Sequence, residues 1–291
     1  MSYASYLTDV LRELSKKVRD DCHCNIPPGA WHGVTKPEYC HILPLEGKNN
    51  RRNRAKAISK YLGIEIDDKF LPSGSKGKGE TLHPYAHHLN SSQLLCYTAF
   101  RNLLTDRHTP TPNLISLFRS LGIEVSDQAI CDFEFSDGWL WEQENEKEGT
   151  SFDFHIKDGE REFFFEIKFT EAGFGKAVLD DRHKRKINDI YIKRIAKILD
   201  NTETIDVEDC AANYQLFRNL IRGDSALKTV IFITDENNEK TKTEIDNFKD
   251  KFLMSSSVKP LFLTWQQINA NWPKDIVKPF QFVCFENPSS F

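Results

Sequence analysis

Apolar residues recur along the chain with two periods. Near the start, Leu7, Val10, Leu11 and Leu14 fall three or four apart, which predicts a helix over residues 5–20. Residues 22–49 keep no such period and contain Pro27-Pro28-Gly29, so they read as irregular. A basic helix is expected over 50–62. The stretch 71–79, Leu-Pro-Ser-Gly-Ser-Lys-Gly-Lys-Gly, has the composition of a flexible linker. A boundary there gives a mostly helical N-terminal region, 1–78, and a second domain, 79–291. In the second part Asn90 or Ser91 is placed to cap a helix running to about residue 104. A shorter helix follows Pro112 and ends at Gly122. Residues 125–135 and 229–234 read as strands, with helices near 184–199 and 211–222 preceding the second of them. Apolar runs at 261–265 and 280–285 are expected to extend a sheet at its edge. No internal repeat is evident.

The period shortens to two between Thr150 and Glu171. Two short runs flank Asp158-Gly159, a dipeptide that favours a tight hairpin turn. With Asp158 and Gly159 as the loop residues, Lys157 faces Glu160, and Asp153 lies opposite Phe164. Side chains alternate across a strand, so Asp153, Phe164, Glu166 and Lys168 share one face. Phe152, Phe154, Ile156, Phe163, Phe165, Ile167 and Phe169 share the other, which is apolar enough to bury. Diagonal neighbours across a strand pair are only ~7–8 Å apart, so the two carboxylates and the amine converge.

Two carboxylates aimed at one point suit a hard divalent cation such as Mg²⁺, which prefers oxygen ligands. Such a cation polarises a phosphoryl oxygen and acidifies bound water, and a neighbouring ammonium can orient that water or stabilise phosphate charge. The bland alternative is a solvated sheet face on which Asp, Glu and Lys merely pair across strands. In these residues the chain resembles the PD-(D/E)XK nuclease superfamily: Asp153 stands for the motif's Asp, and Glu166-Ile167-Lys168 matches Glu-X-Lys. The resemblance covers roughly residues 85–235. The phrases His88-Leu-Asn-Ser-Ser-Gln93, Phe165-Glu-Ile-Lys-Phe-Thr-Glu171 and Tyr214-Gln-Leu-Phe-Arg-Asn219 are similar to a bacterial restriction endonuclease-like branch.

The resemblance implies an α/β (α+β) fold with a restriction-endonuclease-like αβββαβ core. A mixed central sheet would be flanked by helices and carry a mostly helical N-terminal extension. It also implies Mg²⁺, with Mn²⁺ able to substitute, held by Asp153, Glu166 and the Ile167 carbonyl. Lys168 would then position or activate the water that hydrolyses a DNA phosphodiester, leaving a 5′-phosphate. Related nucleases often carry a Gln on a later helix, and Gln215 takes that place, although a solvated Gln215 is an equal reading. Many relatives put a further Glu on the first core helix; here Gln93 stands there instead, which leaves the number of metals open.

Other residues extend the picture. Glu134, in the first strand, is a candidate further acidic ligand, and Glu148 competes with it. The run 182–197 holds seven Lys/Arg and one acid, with Ile187, Tyr191, Ile195 and Ile198 as its apolar stripe. Lys184, Lys186, Lys193 and Lys197 are candidate phosphate contacts, as is Arg218 near Tyr214 and Gln215, against a plain solvated face. Gly173 and Gly175 suggest a loop that lets a backbone or phosphate approach. Cys22, Cys24, Cys40 and His41 are possible zinc ligands by type, but their spacing is not the Cys-X₂-Cys knuckle, and ordinary reduced cysteines are the favoured reading. His83, His87 and His88 read as turn and cap residues.

Composition bounds these expectations. With 291 residues, 39% of them hydrophobic and 28% charged, the chain is globular and large enough for one or two domains. A net charge of −4 argues against a uniformly basic surface, not against a local one. No signal peptide or membrane-length apolar run is evident, and seven cysteines, several in apolar segments, suit a reduced cytoplasmic protein. No phosphate-binding Gly-rich loop of an NTPase and no serine-hydrolase elbow is present. DNA is the expected partner, and a homodimer is a further expectation, because cutting both strands needs two sites or two encounters. The rivals are a DNA-binding module without catalysis, a nuclease for RNA or for branched or damaged DNA, and a zinc-dependent interaction protein.

Overall fold

Five strands form the central sheet of the computed structural model, which describes residues 2–22, 26–66, 82–135, 151–199, 205–254, 256 and 258–285. Ahead of the sheet, β1 (Ala30–Trp31) and β2 (Val34–Thr35) make a small separate hairpin. The sheet runs β3 (Ile130–Phe135), β4 (Phe152–Asp158), β5 (Arg161–Ile167), β6 (Lys228–Thr234) and β7 (Leu261–Thr264) in spatial order. The first three are antiparallel; β6 and β7 add in parallel. The sheet is therefore mixed, and the run at 261–265 extends it as expected.

The hairpin register differs from the expected one by two residues. Asp158 pairs with Arg161 and His155 with Phe164, so Gly159 and Glu160 form the loop. Asp158 stays in the strand because its carboxylate accepts hydrogen bonds from the backbone and hydroxyl of Ser126 and pairs with Arg161. Gly159 has φ +62, the conformation a tight turn asks of its first central residue. A two-residue slip preserves which side chains share a face.

Helices cover both faces. On one side lie α1 (Tyr3–Cys22), α2 (Arg51–Leu62), α3 (Ser92–Phe100) and α4 (Pro112–Ser120). Asn50, Ser91 and Thr111 cap α2, α3 and α4 by accepting the N–H three residues on. Tyr6, Val10, Leu14 and Val18, each four apart, form the buried stripe of α1 and join a cluster with Phe154, Phe165 and Ile167. On the other side α5 (Asp181–Lys186) passes through a π-helical turn at Ile187–Tyr191 into α6 (Ile192–Ile198). There follow α7 (Val207–Ala212), α8 (Tyr214–Leu220) and α9 (Glu239–Phe248). The helix expected over 211–222 is thus two, broken at Asn213 (φ −118, ψ 32).

Three further expectations change. The first strand begins at Ile130, not 125. Phe152, expected beside Phe154, packs on Phe164 at 5.1 Å between ring centroids, within the second cluster. Residues Phe280–Phe285 form a 3₁₀ helix, not an edge strand. Phe282 stacks its edge on Trp272 and, with Phe285, packs against Trp265 of α10 (Trp265–Ala270), so this segment fills a core layer where pairing would have exposed one face. The soft boundary at 71–79 and Glu148 lie outside the described residues.

Candidate active site

Asp153 and Glu166 come together because the β4–β5 register continues past Phe154 and Phe165 to place them opposite one another. Asp153 Oδ2 accepts the Ile167 N–H at 2.7 Å, which ties the first carboxylate to the strand carrying the second. Lys168 lies one residue beyond β5, with its own N–H held by the Ile233 carbonyl. Its Nζ sits 2.7 Å from Glu166 Oε1. The expected shared face of Asp153, Glu166 and Lys168 is thus formed, but helices cover it: Glu166 and Lys168 are buried.

Helix α8 supplies two amides. Gln215 Nε2 donates to Glu166 Oε1 at 2.7 Å, and Asn219 Nδ2 donates to Glu166 Oε2 at 2.9 Å. A four-residue spacing puts both on one helix face. Gln215 therefore points into the site. It is itself fixed, since its Oε1 accepts the Gly175 N–H at 2.9 Å while its N–H reaches the Gly175 carbonyl. Asn219, fully buried, was missed in the sequence; the available signal was its place one turn beyond Gln215.

The electrostatics follow from this crowding. Burial, then the Glu166 and Glu134 carboxylates, raise the Asp153 carboxyl well above its ordinary value; Lys168 and the Ile167 N–H oppose this without offsetting it. Burial alone would depress Lys168, but Glu166, Glu171 and Asp153 outweigh it, and its ammonium is held above the ordinary value. The site disfavours a charged Asp153 beside Glu166, and Lys168 does not reverse this. Two adjoining carboxyl groups whose joint ionisation the fold disfavours are an oxygen donor set that fits a hard divalent cation.

Glu134 borders the same cleft, of about 650 Å³, with Asp153, Glu166, Lys168 and Gln215. It adopts φ +50, a left-handed conformation uncommon for a residue with a side chain, and Ser151 Oγ donates to its carboxylate at 3.3 Å. Gln93 also borders the cleft, where its Oε1 accepts the His83 N–H. At Gly173 (φ +142), a Cβ would lie 2.6 Å from the Glu244 carboxylate, which accepts the Phe174 N–H. The glycine loop thus admits a carboxylate of this chain at Gly173 and the Gln215 amide at Gly175.

Of the candidate phosphate contacts, Lys184, Lys193 and Lys197 are exposed. Lys186 is not: it is buried, with Nζ 3.5 Å from Tyr214 Oη. The π turn beginning at Ile187 adds a residue to the turn, so spacing counted at 3.6 places Lys186 on the wrong side. The Arg218 guanidinium lies 5.9 Å over the Tyr214 ring. Of the possible zinc ligands, the Cys22 side chain and Cys24 lie outside the described residues. Cys40 Sγ is 3.2 Å from Ser15 Oγ, and the His41 ring is 6.0 Å from that of His88. Among the described residues, no three His, Cys, Asp or Glu side chains gather to hold a metal. His87 and His88, expected as turn and cap residues, are buried. No described helix is long and apolar enough to cross a membrane.

Comparison with known families gives a match over residues 35–281 to the model described as restriction endonuclease associating with ARP. Neither the curated proteins nor the solved structures give a match. The mixed five-stranded sheet flanked by helices is a restriction-endonuclease-like fold. With most of its length covered by that match, the chain belongs to the family of restriction endonucleases associating with ARP.

Proposed function

We propose that this chain is a Mg²⁺-dependent DNA endonuclease of restriction type that hydrolyses phosphodiester bonds. One observation carries the reading: Glu166 is buried, facing Asp153, and contacted by Lys168, Gln215 and Asn219. A sheet face that merely paired charges would not place two amides and an ammonium on one carboxylate. Asp153 and Glu166, with the Ile167 carbonyl and Glu134 as further candidates, are the residues that would hold the cation. When bound, Mg²⁺ supplies Lewis acidity toward a phosphoryl oxygen and acidifies water.

The remaining work falls to side chains of this chain. Lys168 stays protonated at neutral pH, so it acts as a donor and a charge, orienting water or stabilising the phosphate, and not as a base. Gln215 and Asn219 hold Glu166 in one rotamer and keep its lone pairs directed. Lys184, Lys193, Lys197 and Arg218 are proposed to track phosphates, and residues 1–78 to serve target contact or assembly. The buried thiols Cys96, Cys131, Cys210 and Cys284 support a reducing, cytoplasmic setting. A homodimer and the ARP of the family description are proposed partners.

The test is cleavage of plasmid DNA by purified protein with Mg²⁺ or Mn²⁺, beside Lys168→Ala and an EDTA control. Bands or a smear lost in both controls support the reading. DNA bound but uncut by wild type moves it to a binding module on the same fold, and cleavage undiminished in Lys168→Ala rejects the assignment.

A further inference from the structure

The cleft has a second wall unlike the first. Among the described residues that border it, four are carboxylates (Glu134, Asp153, Glu166, Glu171) and one is an ammonium, Lys168. His83 and His88 border it too, but both are held below the ordinary imidazole value, chiefly by burial, so at neutral pH they add no positive charge. A nucleic acid entering here gains little from Lys or Arg, the usual source of affinity for a polyanion.

Aromatic rings border the same cleft. Trp31 and Tyr85 stack at 5.2 Å between centroids with 24° between planes, and the His88 ring lies within 5.3 Å of both. Among the described residues, Trp31 and Tyr85 are two of the few large apolar side chains left exposed, at 37% and 40%. Trp31 is carried by the β1–β2 hairpin, whose turn residues His32 and Gly33 both have positive φ. The hairpin is anchored from below: the Gly29 N–H bonds the Ile42 carbonyl at 2.9 Å, and a Cβ at Gly29 would fall 2.6 Å from that residue. An exposed hairpin that holds an indole against an acidic cleft has no role in the sheet core.

We infer that Trp31 and Tyr85 form a shelf on which an unpaired base stacks, so that the preferred DNA substrate has an unstacked base beside the phosphate presented to Asp153 and Glu166. Every base has a π face, and stacking on aromatic side chains supplies affinity without cations. Duplex DNA, its bases stacked internally, offers the shelf nothing unless a base is extruded. The inference rests on the nuclease reading and narrows its substrate.

The test is fluorescence anisotropy with a labelled single-stranded oligonucleotide and its duplex, in Mg²⁺, on a Lys168→Ala background. Variants are Trp31→Ala, Tyr85→Ala and Trp31→Phe. Each alanine change should weaken single-strand binding about tenfold and leave duplex binding within about twofold, and Trp31→Phe, which keeps a ring, should retain single-strand binding. Thermal unfolding of each variant separates lost fold from lost binding. Unchanged single-strand affinity in folded variants, or equal loss on both DNAs, overturns the shelf. The plasmid assay fails or succeeds separately: wild-type cleavage with unaltered single-strand binding rejects the shelf alone, whereas selective single-strand loss without any wild-type cleavage rejects the nuclease reading and keeps the shelf as a binding device.

Discussion

Asn219 Nδ2 donates to Glu166 Oε2 at 2.9 Å, from a side chain fully removed from solvent. This bond satisfies the one Glu166 oxygen that neither Lys168 nor Gln215 reaches. Asn219→Ala should therefore leave a buried carboxylate oxygen unpaired and cost about 1–3 kcal/mol of stability, read by urea unfolding. Asn219→Asp should cost more, because it sets a second carboxylate against the first. Partners that orient a metal ligand commonly matter about 10–100-fold in affinity or activity, so cleavage by Asn219→Ala should fall by that order. Stability equal to wild type in both variants would remove Asn219 from the site.

Asp153 ionises at a cost in this fold. It is pushed up by burial and by Glu166 and Glu134, so without a cation the folded protein disfavours the ionised carboxylate at this position. Asp153→Asn keeps an oxygen to accept the Ile167 N–H and removes the ionisable group. In EDTA this variant should melt higher than wild type, by a few degrees, as expected when a functional site is relieved of strain. On the nuclease reading, added Mg²⁺ should stabilise wild type through binding to the folded state and should not stabilise this variant. A variant that melts lower than wild type in EDTA, or still gains from Mg²⁺, would contradict the assignment.

The hairpin shows what the sequence discloses and what it hides. Strict alternation from Phe152 to Ile167 places Asp153, Glu166 and Lys168 on one face, and that holds in the structure although the register slips by two, because the side-chain period is two. The slip itself was hidden in a long-range partner: Ser126 keeps Asp158 in the strand. Lys186 was misplaced because a π turn breaks the 3.6 period that the reading assumes. Asn219 carried one local signal, its place one turn beyond Gln215, which does not suffice, since an amide among apolar helix residues is indistinguishable from a solvated one until the strand it faces is known. Helix α9 leaves no period in the sequence: within Glu239–Phe248 only Ile245 and Phe248 are large, buried and apolar. The 3₁₀ segment at Phe280–Phe285 looked like a strand because apolar runs of this length serve either role, and tertiary packing against Trp265 decides.

Gly173 supports a backbone prediction. Its φ of +142 is strained for any side chain, and a Cβ would meet the Glu244 carboxylate at 2.6 Å. That carboxylate holds the Phe174 N–H, and Phe174 packs edge-on to Phe232 of β6. Gly173→Ala should destabilise by about 1–3 kcal/mol, measured by chemical unfolding, and should displace the loop that fixes Gln215. Gly175→Ala is the contrast. Its Cβ would lie 3.4 Å from Gln215 Oε1, close to ordinary contact, and no positive φ is required. Its cost should be the smaller; the reverse order would show that Glu244 is not what holds this loop.

His87 and His88 give the molecule an acid sensitivity whose sign can be worked out. Burial, with Arg54 nearby, lowers His87 to about 4. Burial, with His87, His41 and His83 nearby, lowers His88 to about 3. Both are lowered from 6.5, so between that value and the folded ones the unfolded chain binds protons that the folded chain refuses. Stability from these groups is complete above pH 6.5 and falls as pH drops, by at most about 1.4 kcal/mol per pH unit for each ring. The loss ends near 4 for His87 and near 3 for His88. Asp235, raised chiefly by burial, works in the opposite sense and blunts the slope as it takes up its proton. His88→Phe isolates one ring while keeping an aromatic against Trp31, Tyr85 and His87. Unfolding by urea from pH 7 to pH 4.5 should show a shallower decline for His88→Phe than for wild type. Parallel curves would mean that His88 titrates alike in the folded and unfolded chains, and that its burial does not exclude the proton.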